Sequence, residues 1–519
     1  MREHQTNIAL GIVFGFCALS SLFVPPVAAQ DEIPAEVLEL LDATGEDGAP
    51  VLSQDQRNFF DALPKHAKGL LADAVDLEFI SNAEQVRLLL SVGLTAQEME
   101  LLLQDNCILC HTNPDYQDEA TLFTTGPEAF GEHLDLQELV SDVHFRRGLS
   151  CSGCHGGTPD DEDMADEIYE RWPDRDERAA NRRWVPEFCG RCHSDPGFMR
   201  RFNPSLATDQ VAKYATSRHG VRLLQEGDSL AAECTSCHGN HGIRRASSRK
   251  ATTHPTNVPA TCGRCHSDPE HMAGYKTRDG EPLPTNQLEQ YRKSVHGIAL
   301  LENDDLGAPA CNDCHGNHAA MPPEVASVSQ ICRTCHAANG RLFDGSAHRQ
   351  AFATNGWPEC GKCHGKHDVV KLTDDMLRNE AGGMCYDCHA VYSTQNPECQ
   401  ATATYFHGTI THLAESRHEL EEQVEVLAAK GLDVDGLTEN LSSLEDALRS
   451  SRSRIHSFDR SDFDQAAQPG IETVHVAESI IAGAEREHRS RQRGLGIAIG
   501  FVGLVALALV LRLRMIESA

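Results

Sequence analysis

The pattern Cys-x-x-Cys-His occurs nine times between residues 107 and 389. The copies begin and end at Cys107, Cys110 and His111; Cys151, Cys154 and His155; Cys189, Cys192 and His193; Cys234, Cys237 and His238; Cys262, Cys265 and His266; Cys311, Cys314 and His315; Cys332, Cys335 and His336; Cys360, Cys363 and His364; and Cys385, Cys388 and His389. Of the 20 cysteines, only Cys17 and Cys399 fall outside them. Two cysteines three residues apart lie on one face of a helical turn. Both sulfurs then reach one edge of a single flat ligand, and the next histidine lies beneath its centre. This is the attachment pattern of c-type haem, with a proximal imidazole for the iron. Zinc ribbons also use paired Cys-x-x-Cys units, but they do not require a histidine after every pair. A disulfide framework competes for cysteines already used. The sequence therefore predicts nine covalently bound haem c groups.

The two ends place such a domain outside the cytoplasm. Residues 1–29 read as a secretory signal: Arg2, the apolar run Ile8 to Phe23, then the small residues Val27-Ala28-Ala29. Gly494 to Val510 is almost wholly apolar and meets Leu511-Arg512-Leu513-Arg514. Residues 494–511 are long enough for a transmembrane helix, with 512–519 as a short cytoplasmic tail. Arg512 and Arg514 obey the positive-inside rule. Arg489, Arg491 and Arg493 on the outer side offset it, so export sets the orientation. The expected location is the cytoplasmic membrane, single-pass, with the haem domain on the periplasmic side. The formal charge of −31 makes nucleic acid a poor partner. It keeps the chain soluble and suits a basic redox partner.

The expected fold is mainly α, with little regular structure in the haem region. Residues 30–105 form a helical N-terminal cap, with capping-box patterns at Ser53 to Gln56 and Thr95 to Glu98. Residues 106–410 form the nonahaem domain. Aromatic residues make up only 6% of the chain, and Gly, Pro, Asp and Asn are frequent in this region. Without porphyrins it buries too little apolar surface to offset its ordering entropy. Residues 411–493 form a helical hairpin or stalk. Its expected helices are Thr411 to Lys430, closed by Gly431, then Leu437 to Phe458, then Ile471 to Arg493 running into the membrane span.

The haem region repeats internally. Tyr214-Ala-Thr-Ser-Arg-His219-Gly matches Tyr291-Arg-Lys-Ser-Val-His296-Gly, and Cys234-Thr-Ser-Cys-His-Gly-Asn-His241 matches Cys311-Asn-Asp-Cys-His-Gly-Asn-His318, both 77 residues apart. A third copy ends at His367 and is preceded by Ser346-Ala-His348; a fourth starts at Cys151 and is preceded by His144. Plainer motifs follow each copy, two of them sharing Cys-Gly-Arg-Cys-His-Ser-Asp-Pro at Cys189 and Cys262. Motifs two to nine thus form four doublets behind one leading motif. Repetition predicts a stack in which each unit packs on its neighbours, close enough for electron hopping.

Six-coordinate iron needs a second ligand. His144, His219, His296 and His348 recur upstream of the doublets and are predicted distal ligands. His241, His318 and His367 lie three residues beyond a proximal histidine. They are too close to cross to the far face of the same haem, so a neighbouring haem is expected. Thr158 stands where the first doublet would carry that histidine. His133, His254, His271, His407, His412 and His418 are weaker candidates. His456 and His475 lie in the helical tail, from which they could reach back to the stack, but read more readily as a solvated helix face; His488 reads as polar flank.

These motifs resemble the multihaem c-type cytochromes over about residues 107–420. Ser-x-His-Gly upstream of Cys-x-x-Cys-His-Gly-x-His resembles the haem doublets of periplasmic electron-transfer cytochromes. That resemblance implies bis-histidine haems without substrate chemistry at most centres. The late helical segment is similar to that of octahaem hydroxylamine oxidoreductases and pentahaem nitrite reductases, which hold one haem open. The nitrite reductases mark it with Lys in place of the motif histidine, and no such motif exists in this sequence. The hydroxylamine oxidoreductases use a cross-linked tyrosine, for which Tyr386, Tyr392 and Tyr405 are available. The membrane span resembles that of cytochromes fed by quinol or by a quinol-oxidising membrane subunit. The expectation is a membrane-anchored electron carrier with redox protein partners, no catalytic side chain and a periplasmic or outer acceptor. The alternatives are an open-haem oxidoreductase of a small nitrogen or sulfur substrate, and a subunit of a larger respiratory complex.

Overall fold

The computed structural model describes residues 136–157, 182–277, 280–321, 325–392 and 397–517, with scattered earlier residues, chiefly 50–62. The signal segment with Cys17, most of the N-terminal cap, Cys110, His111, His133, Thr158 and the Tyr392 side chain lie outside the described residues. The described residues are mainly helical and contain no strand; Lys276 and Pro282 form an isolated bridge. Both capping boxes are formed. Ser53 N–H donates to Gln56 Oε1 (2.9 Å) and Gln56 N–H to Ser53 Oγ (3.3 Å), at the start of helix Gln54–Ala62. Thr95 N–H donates to Glu98 Oε2 (2.7 Å) and Glu98 N–H to Thr95 Oγ1 (3.2 Å).

Backbone contacts divide the chain into two units: Met1–Ala180 with His238–Arg245, and Asn181–Cys237 with Ala246–Ala519. In the motif-bearing part of the second unit the helices are short and the apolar clusters small. One joins Tyr214, Leu223 and Ala231; another joins Val258, Tyr291, Leu300 and Ala310. Clusters of this size are far from a sufficient core.

The packing changes after residue 397. Helix α1 (Pro397–Ala429) runs out, α2 (Asp435–Arg454) returns, and α3 (Arg460–Glu517) runs out again. One cluster gathers Phe406, Ile410 and Leu413 of α1, Leu444 and Leu448 of α2, and Phe463, Ala467 and Val474 of α3. A second, further out, gathers Leu420, Leu427, Leu432, Leu437 and Ala477. The three-and-four spacing of these residues gives each helix one apolar stripe. At Gly470 an added Cβ would come within 2.8 Å of Ala447 Cβ and 3.1 Å of Leu413 Cδ2. The absent side chain lets the three helices close up there.

The helix limits differ from the sequence expectation. The first helix starts at Pro397 rather than Thr411, because Ala403, Phe406 and Ile410 carry its buried stripe backwards. The second stops at Arg454, where a short turn (Ile455–Ser457) and Phe458, at φ +53°, break it. The third starts at Arg460 rather than Ile471, with Asp459 accepting from Asp462 N–H (2.9 Å). The outer part of α3 is exposed throughout, and its most apolar window has a mean hydropathy of 2.6. By length and composition this helix is able to cross a membrane.

Candidate cofactor-binding site

The two motifs of a doublet differ structurally. The first is a single helical turn: Cys151–His155, Cys234–His238, Cys311–His315 and Glu359–His364. Each turn ends at a glycine in the left-handed region, Gly156, Gly239, Gly316 or Gly365, with φ between +80° and +84°. L side chains are strained at such φ, which explains Cys-x-x-Cys-His-Gly. The chain leaves the turn directly after the proximal histidine and carries the next histidine away. The second motif of a doublet sits on a longer helix: Trp184–His193, Val258–His266, Val325–Cys335 or Met384–Tyr392. Buried carboxylates stand just before two first-type motifs. Glu233 accepts from Thr235 N–H (2.6 Å) and pairs with Arg182; Glu359 pairs with Arg333 (2.9 Å) and Arg349.

The upstream Ser-x-His-Gly segments are brackets. Ser217 Oγ accepts from Gly220 N–H (2.9 Å) and donates to Tyr214 O (2.7 Å); Ser294 Oγ accepts from Gly297 N–H (3.0 Å) and donates to Tyr291 O (2.7 Å). A Cβ at Gly220 or Gly297 would collide with those tyrosine carbonyls. The Tyr214 hydroxyl donates to Ala232 O (2.9 Å), and that of Tyr291 to Pro309 O (3.0 Å). Those carbonyls lie two residues before Cys234 and Cys311. Serine caps the helix, glycine clears the carbonyl, and tyrosine ties the bracket to the next motif. His219 and His296 are thereby fixed in direction.

Motif histidines meet other histidines in pairs. Ring centroids are 6.1 Å apart for His155 with His241, 6.1 Å for His219 with His266, and 6.3 Å for His296 with His336. They are 6.0 Å apart for His315 with His367, 5.9 Å for His348 with His389, and 6.0 Å for His364 with His456. A metal bound to two imidazole nitrogens at about 2 Å each has rings with centroids about 6 Å apart. Rotation about that axis is free, so the interplanar angles of 11° to 82° are all compatible with it.

Protonation fits ligation too. Burial pushes His219 and His348 down to about 4, and lowers His266, His296, His318, His364 and His367. Neutral imidazole is the ligating form. His144 Nδ1 donates to the buried Asp142 carboxylate (3.0 Å). His456 Nδ1 donates to Ser453 O (2.8 Å), which turns its Nε2 outward for a metal. The buried His348 Nδ1 has no hydrogen-bond partner among the described residues. Among those residues no group of three or more His, Cys, Asp or Glu is placed to hold a metal ion. The imidazoles gather in twos, the arrangement that a four-nitrogen macrocycle completes.

Successive motifs are also neighbours. In the first unit the Cys107 and Cys151 thiols hydrogen-bond. In the second unit Cys189 bonds with Cys234, Cys262 with Cys311, and Cys332 with Cys360. Between these contacts, burial pushes the Cys237, Cys314 and Cys363 thiols up, and the nearby Cys262, Cys335 and Cys388, one for each, add to it. Within the second unit, motifs three to nine therefore follow one another in space as in sequence.

His219, His241, His296, His348 and His367 each lie beside the histidine of a Cys-x-x-Cys-His motif. One reading needs correction. His456 is not a solvated helix position: its ring lies 14° from parallel to that of His364. The signal was the end of the repeat, because no further His-Gly-x-His follows the last doublet. His475 and His418 are exposed beside Glu478 and Glu422. His254 is buried on Thr256, and His271 stacks on Tyr275. Tyr405 donates to Asp464 (2.7 Å) beneath Arg460, so its hydroxyl is held within the helical assembly. No family model, curated protein or solved structure matches this chain.

Proposed function

We propose that this protein is an exported, membrane-anchored nonahaem cytochrome that passes electrons between a membrane donor, quinol or a partner subunit, and a periplasmic or outer acceptor. The observation that carries this reading is the set of proximal histidines facing a second histidine at 5.9–6.3 Å. Bound c-type haem supplies reversible one-electron chemistry at iron. The cysteines would hold it by thioether bonds, and the paired imidazoles would fill both axial positions. At the six motif histidines so paired, filled positions would leave no place for substrate, which favours transfer over catalysis there. His144 and His318 hold the same register positions as His219 and His241 and are proposed as further distal ligands. The neighbouring motif cysteines support transfer along the order of the sequence within the second unit.

Pyridine haemochrome counting with low-temperature electron paramagnetic resonance on the oxidised, detergent-solubilised protein tests this. Nine haems per chain with low-spin signals are expected. Magnetic circular dichroism counts any centres that coupling silences. A stoichiometric high-spin signal that shifts with nitrite or hydroxylamine would replace the carrier with an open-haem enzyme.

A further inference from the structure

The repeats share a second register. The residue before an upstream histidine donates its N–H to a carbonyl two residues beyond a downstream histidine. Val143 donates to Ile243 O (2.8 Å), Arg218 to Ala320 O (2.9 Å), and Val295 to Val369 O (2.8 Å). The acceptors follow His241, His318 and His367 at the same offset. Each module thus receives the downstream-histidine loop of the next one. His241 reaches His155 of the preceding doublet, and His367 reaches His315. The last doublet has no successor. In its place stands the turn between α2 and α3. His456 faces His364 at 6.0 Å, and two residues later Phe458 covers the upstream histidine, its ring centroid 3.7 Å from that of His348.

We infer that the helical assembly is the terminal module of the repeat array, and that His456 is the distal ligand of the haem attached at Cys360 and Cys363. The inference rests on the haem reading above. The contacts around the turn fit a docked module. Arg452 forks onto Asp374 (2.8 and 3.0 Å), and Ser453 donates to Asn339 Oδ1 (2.7 Å). The Ser453 carbonyl holds His456 Nδ1, so one turn both docks the assembly and orients the imidazole. Ligation of that iron and docking of the three helices are then a single equilibrium.

The test uses the full-length holoprotein with His456→Ala, with His475→Ala as the exposed control. Expected is conversion of one haem in nine from low to high spin in His456→Ala, and none in the control. His456→Met keeps a ligand in place if the alanine variant does not accumulate. It should give one methionine-to-ferric-haem charge-transfer band and raise the potential of one centre. A fully low-spin His456→Ala protein, or a His456→Met protein without that band, overturns the inference while the haem count stands. Absence of covalent haem in the unaltered protein would instead remove the reading beneath it.

Discussion

At the scale of single residues, the motif letters have separable physical jobs. In the proposed cytochrome the histidine of Ser-x-His-Gly would bind, while serine and glycine only aim it. His219→Ala and His296→Ala are each expected to turn one haem high spin, read by electron paramagnetic resonance. Gly297→Ala retains every ligand but forces its Cβ into the Tyr291 carbonyl. The strain is expected to cost about 1–3 kcal/mol, seen as a lower melting temperature, with His296 partly withdrawn from its iron. Ser294→Ala removes the cap and the bond to the Tyr291 carbonyl and should cost about 1–3 kcal/mol without removing a ligand, so no haem is expected to turn fully high spin. Five of the six histidines that pair with a motif histidine stand out in the sequence by spacing and repetition alone. His456 does not. It lies on a helix terminus with no surrounding motif, and only three-dimensional register brings it to His364.

At the scale of elements, two kinds of stability meet in one chain. The motif segments are held by short turns, brackets and ion pairs, with few buried apolar residues. The three helices carry their own clusters, including the fully buried Leu413, Leu444 and Phe463. A chain lacking covalent haem, made by changing the motif cysteines to alanine, should keep protease resistance in 397–493 and lose it in 140–390. Equal resistance throughout would contradict the idea that porphyrin faces complete the core. Leu444→Ala in the holoprotein should destabilise the helices by about 2–5 kcal/mol, measured by thermal melting. The helical periodicity of this region was readable in sequence. Its true limits were not, because the apolar stripe of α1 starts among residues that sequence assigns to the haem domain, and a left-handed phenylalanine leaves no sequence signature.

At the scale of the molecule, α3 sets a distance. From Arg460 to Arg493 it rises about 50 Å at helical pitch before the apolar segment begins. His456 lies four residues before this helix starts, so with Gly494 to Val510 in a bilayer the final doublet stands far along the helix from the lipid. Electron tunnelling decays exponentially with distance, so a quinol in the membrane does not reduce that end in one step. In the proposed carrier a donor would bring its own redox group to this height, or feed another haem of the array. In vesicles containing quinol and the anchored protein alone, reduction of the final doublet should be no faster than for a soluble form ending at Arg493, followed by stopped-flow absorbance. Addition of the donor subunit should accelerate the anchored form selectively, because the anchor confines both proteins to one surface. Fast reduction of the anchored protein by quinol alone would mean that some haem approaches the bilayer, and the role of α3 as a spacer would fall.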